Sequence, residues 1–306
     1  MSNPIHALLD AAGFPWRETR AALAGRYGKR VHPAYRWEGI EVPTAPPLCE
    51  GLIWPLSAQV FEQISPAFPA TRFSSVAWFF DDARENLRRT ERAFDQALGP
   101  SQRSENGNSL KREWRSGAAS IELIVWPADM QRFPINNPAH GREPRVKSGC
   151  HVAIETGWRP DVTAEELVWV RAFSAVGRVG GPSTVYSPDI AANESQLEFV
   201  RAPIPGAASL FSQVGCSADG QALIFCTDQL YLVRTGDIVR FQVSRLRPGK
   251  GSGGASLRVE CRGHSGVAKG LTIGRSDDPD GLTDLATRLS AACRRPLKLE
   301  PYDDDT

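Results

Sequence analysis

The stretch ALIFCTDQLYLVRTGDIVRFQVSRL, residues 222–246, decides how the second half of this chain folds. Residues 222–226 and 230–233 are short, continuous apolar runs, and residues 238–246 alternate apolar and polar beyond Thr235-Gly236. Apolar runs of this length, separated by turn-formers such as Thr227-Asp228, read as buried strands. Alternation reads as a strand with one wet face. Residues 197–200 come before and residues 256–262 and 268–273 after, so six successive strands with short connections are expected. A single helix then closes the region. Leu282, Leu285, Ala286 and Leu289 recur at helical spacing, Arg294-Arg295 complement its C-terminal dipole, and Pro296 stops it.

Antiparallel strands followed by one terminal helix resemble a PH-like barrel, in which the helix plugs an open end. The resemblance covers roughly the last third of the chain and rests on strand order and size. In many relatives of that fold, loops between the early strands bind phosphoinositide or peptide. Architecture alone does not transfer that function.

The first half reads differently. Residues 4–28 suggest two short helices: Ile5, Leu8 and Leu9 form one apolar stripe, Gly13 ends it, and Pro15 opens a second helix ending at Gly28. A helical pair packed on a sheet is expected here, not a DNA-reading unit. Prolines punctuate residues 43–69, with short strands at 37–42 and 52–54. Residues 74–80 read as a buried strand. Asp81 or Asp82 then caps an amphipathic helix carrying Ala83, Leu87, Phe94 and Leu98, stopped by Gly99-Pro100. A hairpin follows, with Leu110, Arg112 and Trp114 facing Ile121, Leu123 and Val125 across Ser116-Gly117. Residues 127–147 form a long polar loop and 150–155 another strand. Thr163 and Glu166 make a capping box that opens a helix through Leu167, Val170 and Phe173. Residues 175–194, with Gly177, Gly180, Gly181, Pro182 and Pro188, read as a linker. All eight Trp lie at or before Trp169, which agrees with a boundary soon after it. The expected class is α+β: an N-terminal α/β sandwich-type domain with short helices over 1–174, a linker over 175–194, and a mostly antiparallel β domain closed by a helix over 195–306.

Charge and cysteine usage narrow the function classes. Lys+Arg is 36 and Asp+Glu is 35, a net charge of +1, which argues against a dedicated nucleic-acid binder. The apolar run 118–126 is interrupted by Glu122 and too short to span a bilayer, and the N-terminus lacks the pattern of a secretory signal. No pair among the six Cys is spaced as CxxC, so a reducing, cytoplasmic compartment is expected. Arg outnumbers Lys 30 to 6, the codon signature of a GC-rich bacterial genome.

Three segments invite a chemical reading. Cys150-His151 suggests a thiol–imidazole pair, but neighbours on a strand point to opposite faces. Residues 262–267 approach the G-x-S-x-G elbow, yet Val267 stands where Gly is required, and a hairpin turn between strands is expected. Residues 247–254, RPGKGSGG, resemble a phosphate cradle, but Ser244 replaces the first Gly of the Walker pattern and Gly251 stands where Ser or Thr should follow Lys250. The remaining reading is an anion-holding hairpin tip in which Arg245, Arg247, Lys250, Gly251 and Ser252 engage a partner. No spacing fits a metal site, no cofactor is expected, and no catalytic residue is assigned. The function these features favour is a non-enzymatic bacterial cytoplasmic module that binds another protein, such as a toxin-neutralising immunity protein or a secretion adaptor. The alternatives are an enzyme with catalytic groups on distant loops and an anionic-lipid surface binder without integral membrane contact.

Overall fold

Local chemistry sets the first elements. The Asn3 side chain accepts hydrogen bonds from the amides of Ile5 and His6, which starts helix α1 at Pro4–Ala11. Thr19 does the same for Ala22 and starts α2 at Arg20–Tyr27, later than Pro15 suggests. These and all later elements belong to a computed structural model that describes residues 3–31, 38–43, 56–60, 64–79, 83–127, 148–178, 194–204, 206–226, 229–248, 253–263 and 266–304. The architecture is α+β with mostly antiparallel sheets. The chain divides into two compact units, Met1–Phe61 with Pro66–Trp158 and Glu62–Ser65 with Arg159–Thr306.

The first unit is built on one eight-stranded sheet in the order β1-β2-β3-β4-β8-β7-β6-β5. Its strands are β1 Arg30–Val31, β2 Glu38–Val42, β3 Leu56–Gln59, β4 Arg72–Phe79, β5 Gln102–Asn106, β6 Ser109–Ser116, β7 Ala119–Trp126 and β8 Ser148–Glu155. Two four-stranded meanders join where β4 pairs with β8, and helix α3, Ala83–Leu98, carries the chain between them. Every pairing is antiparallel, in keeping with the α+β class expected from sequence. The hairpin register sets Trp114 opposite Ile121 and Arg112 opposite Leu123, as the alternation predicts. Ile121, Leu123 and Val125 pack with Ile5, Leu9, Phe94 and Trp114 in the core between sheet and helices. The two N-terminal helices therefore lie on the sheet.

In the second unit, Ala222–Cys226 is strand β12, and every residue in it is buried. Leu223 and Phe225 face the main core. Ala222, Ile224 and Cys226 face Trp169 and Val170 of helix α4, Ala164–Arg171. A strand covered on both sides reads as an unbroken apolar run. Its sheet has the order β10-β13-β12-β11-β9, where β9 is Phe173–Arg178, β10 Val200–Arg201, β11 Gln213–Ser217 and β13 Leu230–Arg234. The second sheet has the order β16-β15-β14-β17, from β14 Ile238–Arg247, β15 Gly254–Arg262, β16 Ala268–Ser276 and β17 Leu297–Asp304. Helix α5, Thr283–Cys293, contributes Leu285, Ala286 and Leu289 to the same core as Phe241, Val243, Leu257 and Val259.

Several expectations change here. The closing helix does not end the folded chain, because β17 follows it and pairs parallel to β14, which the PH-like resemblance does not include. Residues 197–199 belong to a 3-10 turn, Glu194–Phe199, rather than a strand. Helix α4 stops at Arg171, so Phe173 starts a strand. Residues 175–178, placed in the linker with the Gly- and Pro-rich residues that follow, are the last four of β9, while residues 179–193 lie outside the described residues. The compact units part at Trp158 and Arg159, ahead of the expected 174, because α4 and β9 pack on the second unit's sheet.

Candidate functional site

Strand β14 runs out to the glycine-rich hairpin and β15 returns from it. At its base a depression of about 720 Å³ opens, lined by Ser244 and Arg245 of β14, Ser256 of β15, Arg275 of β16, and Glu300 and Tyr302 of β17. The register sets Ser244 opposite Ser256 and Ser256 opposite Arg275, a row of two hydroxyls and a guanidinium across three strands. Asp277 and Asp303 also line the depression, so its charge is mixed.

The sequence-predicted residues divide. Arg245 donates from Nε and Nη2 to the Glu300 carbonyl at 3.1 and 2.8 Å, and its guanidinium lies 4.1 Å from the Tyr302 ring centroid. Arg247 shares that ring at 4.7 Å. The Tyr302 hydroxyl donates to Asp280 at 2.6 and 2.8 Å, a hydrogen bond that holds its proton and raises its pKa. Arg245 is thus a clamp between β14 and β17, not a free charge. Asp303 and Asp304 pair in register with Leu246 and Arg247 and set acid beside the basic strand. Lys250, Gly251 and Ser252 lie outside the described residues. The hairpin base is tightly packed. Gly253 and Gly254 have φ of 70° and 138°, and a Cβ on either would come within 2.8 Å of a backbone carbonyl, from Leu246 or Ser276 respectively.

Sequence reasoning missed Arg275, Ser244 and Ser256 as a set. The one available signal was the polar phase of the β14 alternation, Gln242-Ser244. Its continuation onto Ser256 and Arg275 needs the three-strand register. The two arginines should separate on substitution. Arg245→Ala is expected to lower stability by on the order of 1–2 kcal/mol in urea unfolding, since it removes hydrogen bonds from a charged donor. Arg275→Ala is expected to leave stability unchanged, because Arg275 is exposed and its side chain makes no hydrogen bond or ion pair among the described residues.

A second, smaller cleft of about 240 Å³ lies elsewhere in this unit, lined by Glu166, Glu198, Arg201 and Gly263 among others. Glu166 takes a bidentate bond from Arg201, at 2.8 and 3.1 Å. Burial raises its pKa, but the Arg201 and Thr163 hydrogen bonds outweigh this and hold the carboxyl below the usual glutamate value. Glu198 pairs with Lys269, both nearly fully buried, and its carboxylate rests on Gly263. Both carboxylates are committed to basic partners, so this cleft is a structural clasp that fastens the 3-10 turn to β16.

The other sequence candidates fall apart geometrically. Cys150 faces the core of the first unit, where burial pushes its thiol up to about 12. His151 stacks with Trp126, ring centroids 6.5 Å apart, and burial together with Arg72 lowers its pKa against an opposing pull from Glu122. The Gly266 amide bonds the Gly263 carbonyl at 2.8 Å, closing a turn between β15 and β16 with no following helix. His264 lies outside the described residues. Among the described residues no group of three or more His, Cys, Asp or Glu could hold a metal ion, and no helix is long and apolar enough to cross a membrane. No protein-family model matches this chain, and no curated protein matches it in sequence.

Proposed function

We propose that this chain is a non-catalytic binding protein that receives a mixed-charge segment of a partner polypeptide in the depression beside the glycine-rich hairpin. One observation carries the reading: Arg275 lines that depression with no partner of its own among the described residues, in a row with Ser244 and Ser256. An unpaired guanidinium beside hydroxyls suits a bidentate carboxylate. The nearby Asp277 and Asp303 suit a basic flank on the same segment. The mixed lining also favours a protein over an anionic membrane, whose attraction depends on a local excess of positive charge. A bacterial cytoplasmic setting, as an immunity protein or secretion adaptor, remains part of this proposal.

A photoreactive residue at position 256 tests it in cells. The expected result is a stoichiometric polypeptide adduct that Arg275→Glu abolishes, with affinity for the isolated partner falling at least tenfold, the scale of a truncated interface arginine. No adduct above that of a probe at exposed Val168, or sedimentation only with phosphatidylserine vesicles, would overturn it.

A further inference from the structure

We infer that Cys216 and Cys293 form an intrachain disulfide when a small-molecule disulfide oxidises them, fastening the C-terminal end of α5 to β11. Cys216 lies on β11, whose neighbours in the sheet are β9 and β12, and Cys293 is the last residue of α5. Their sulfurs are 3.0 Å apart and both residues are buried. About 1 Å of approach would bring them to the S–S bond length of about 2.0 Å.

The environment of this pair differs from that of the other thiols. Burial pushes Cys261, like Cys150, up to about 12. At Cys216 the hydrogen bond shared with Cys293 outweighs burial and lowers the pKa. The exchange then balances. The Cys216 thiolate attacks the small disulfide, forms a mixed disulfide and releases one thiolate. Cys293 gives up its proton and attacks the Cys216 sulfur, which forms the Sγ–Sγ bond and releases the second thiolate. Two cysteine thiols are oxidised and one small disulfide is reduced to two thiols.

Access comes from the helix end. Arg294 holds a positive φ of 51° where Gly is usual, and the Arg295 amide to the Ser290 carbonyl, at 3.0 Å, closes the last turn. Helix ends open at the lowest cost, and lifting the last turn of α5 off β11 uncovers Cys216 together with Cys293 without unfolding the unit. In a reducing compartment the pair rests as the dithiol and oxidation changes it.

The test uses the full chain equilibrated with oxidised glutathione. Peptide mapping is expected to show a 216–293 linked pair and a loss of two hydrogens. The thermal midpoint should rise by roughly 10 °C, since the bond closes a loop of 77 residues, and dithiothreitol should reverse the change. Cys216→Ala and Cys293→Ala should each abolish both effects and Cys261→Ala neither. Absence of the linked peptide in the wild-type chain, or a linked peptide with an unmoved or lowered midpoint, would overturn the inference even if a variant fails to fold.

Discussion

Glu198→Ala is expected to cost about 3–5 kcal/mol, because it removes the carboxylate that balances the Lys269 ammonium in the interior. Both side chains are less than a tenth exposed. Removing one partner of a buried pair leaves an uncompensated charge, while replacing both with apolar groups of similar volume is often neutral. The double variant Glu198→Leu with Lys269→Met should therefore recover most of the loss. Urea unfolding measures both, and hydrogen exchange should localise the single variant's loss to β16 and the 3-10 turn. Gly263 gives an independent probe. A Cβ there would sit 1.8 Å from Glu198 Oε1, so Gly263→Ala must displace the carboxylate from its place. Equal losses in the single and double variants would show that the pair carries no such charge penalty.

The second large effect concerns Gly215. A Cβ at this position would lie 2.0 Å from the Ser174 carbonyl oxygen and 2.9 Å from the Ala175 Cα. These are backbone atoms of the neighbouring strand, which no rotamer change can move. The β11–β9 register shifts between Val214 and Gly215, so the strands approach most closely at a bulge. Gly215→Ala should cost about 2–3 kcal/mol, at the upper range for overpacking, and should peel β9 from the sheet edge. Amide exchange and protease cleavage within residues 173–178 should rise, while β14–β16 stay protected. Unchanged protection of β9 would show that the strands tolerate a side chain there.

Legibility followed the range of the interactions. The run 222–246 is readable because each strand is apolar over its own length and its partners are its neighbours in sequence. β17 is not: KLEPYDD is charged and carries a proline, and only its parallel pairing with a strand some fifty residues earlier makes it regular. β9 and β11 are short and contain Gly177 and Gly215, which mimic a connection when no partner strand is visible. Residues 196–200 mix buried Leu197 and Phe199 with buried Gln196 and Glu198, so an apolar count alone could not separate a 3-10 turn from a strand. At the site, Arg245 and Arg247 were legible as an alternating pair. Their acceptor and ring, Glu300 and Tyr302, were not, because a separation of 55 residues leaves no local trace. The proximity of Cys216 to Cys293 is invisible for the same reason.

The parallel strand that follows the last helix has a consequence during synthesis. β14 leaves the ribosome well before the residues that will cover its outer edge. At about 5–20 residues per second, the chain between Arg247 and Asp304 takes roughly 3 to 11 s to appear. For that interval β14 presents a long, open row of amides and carbonyls, the template on which nascent chains stick to one another. Its own sequence supplies the guard. Arg240, Arg245 and Arg247 are spread along the strand, and charges placed there discourage edge-to-edge pairing until β17 arrives.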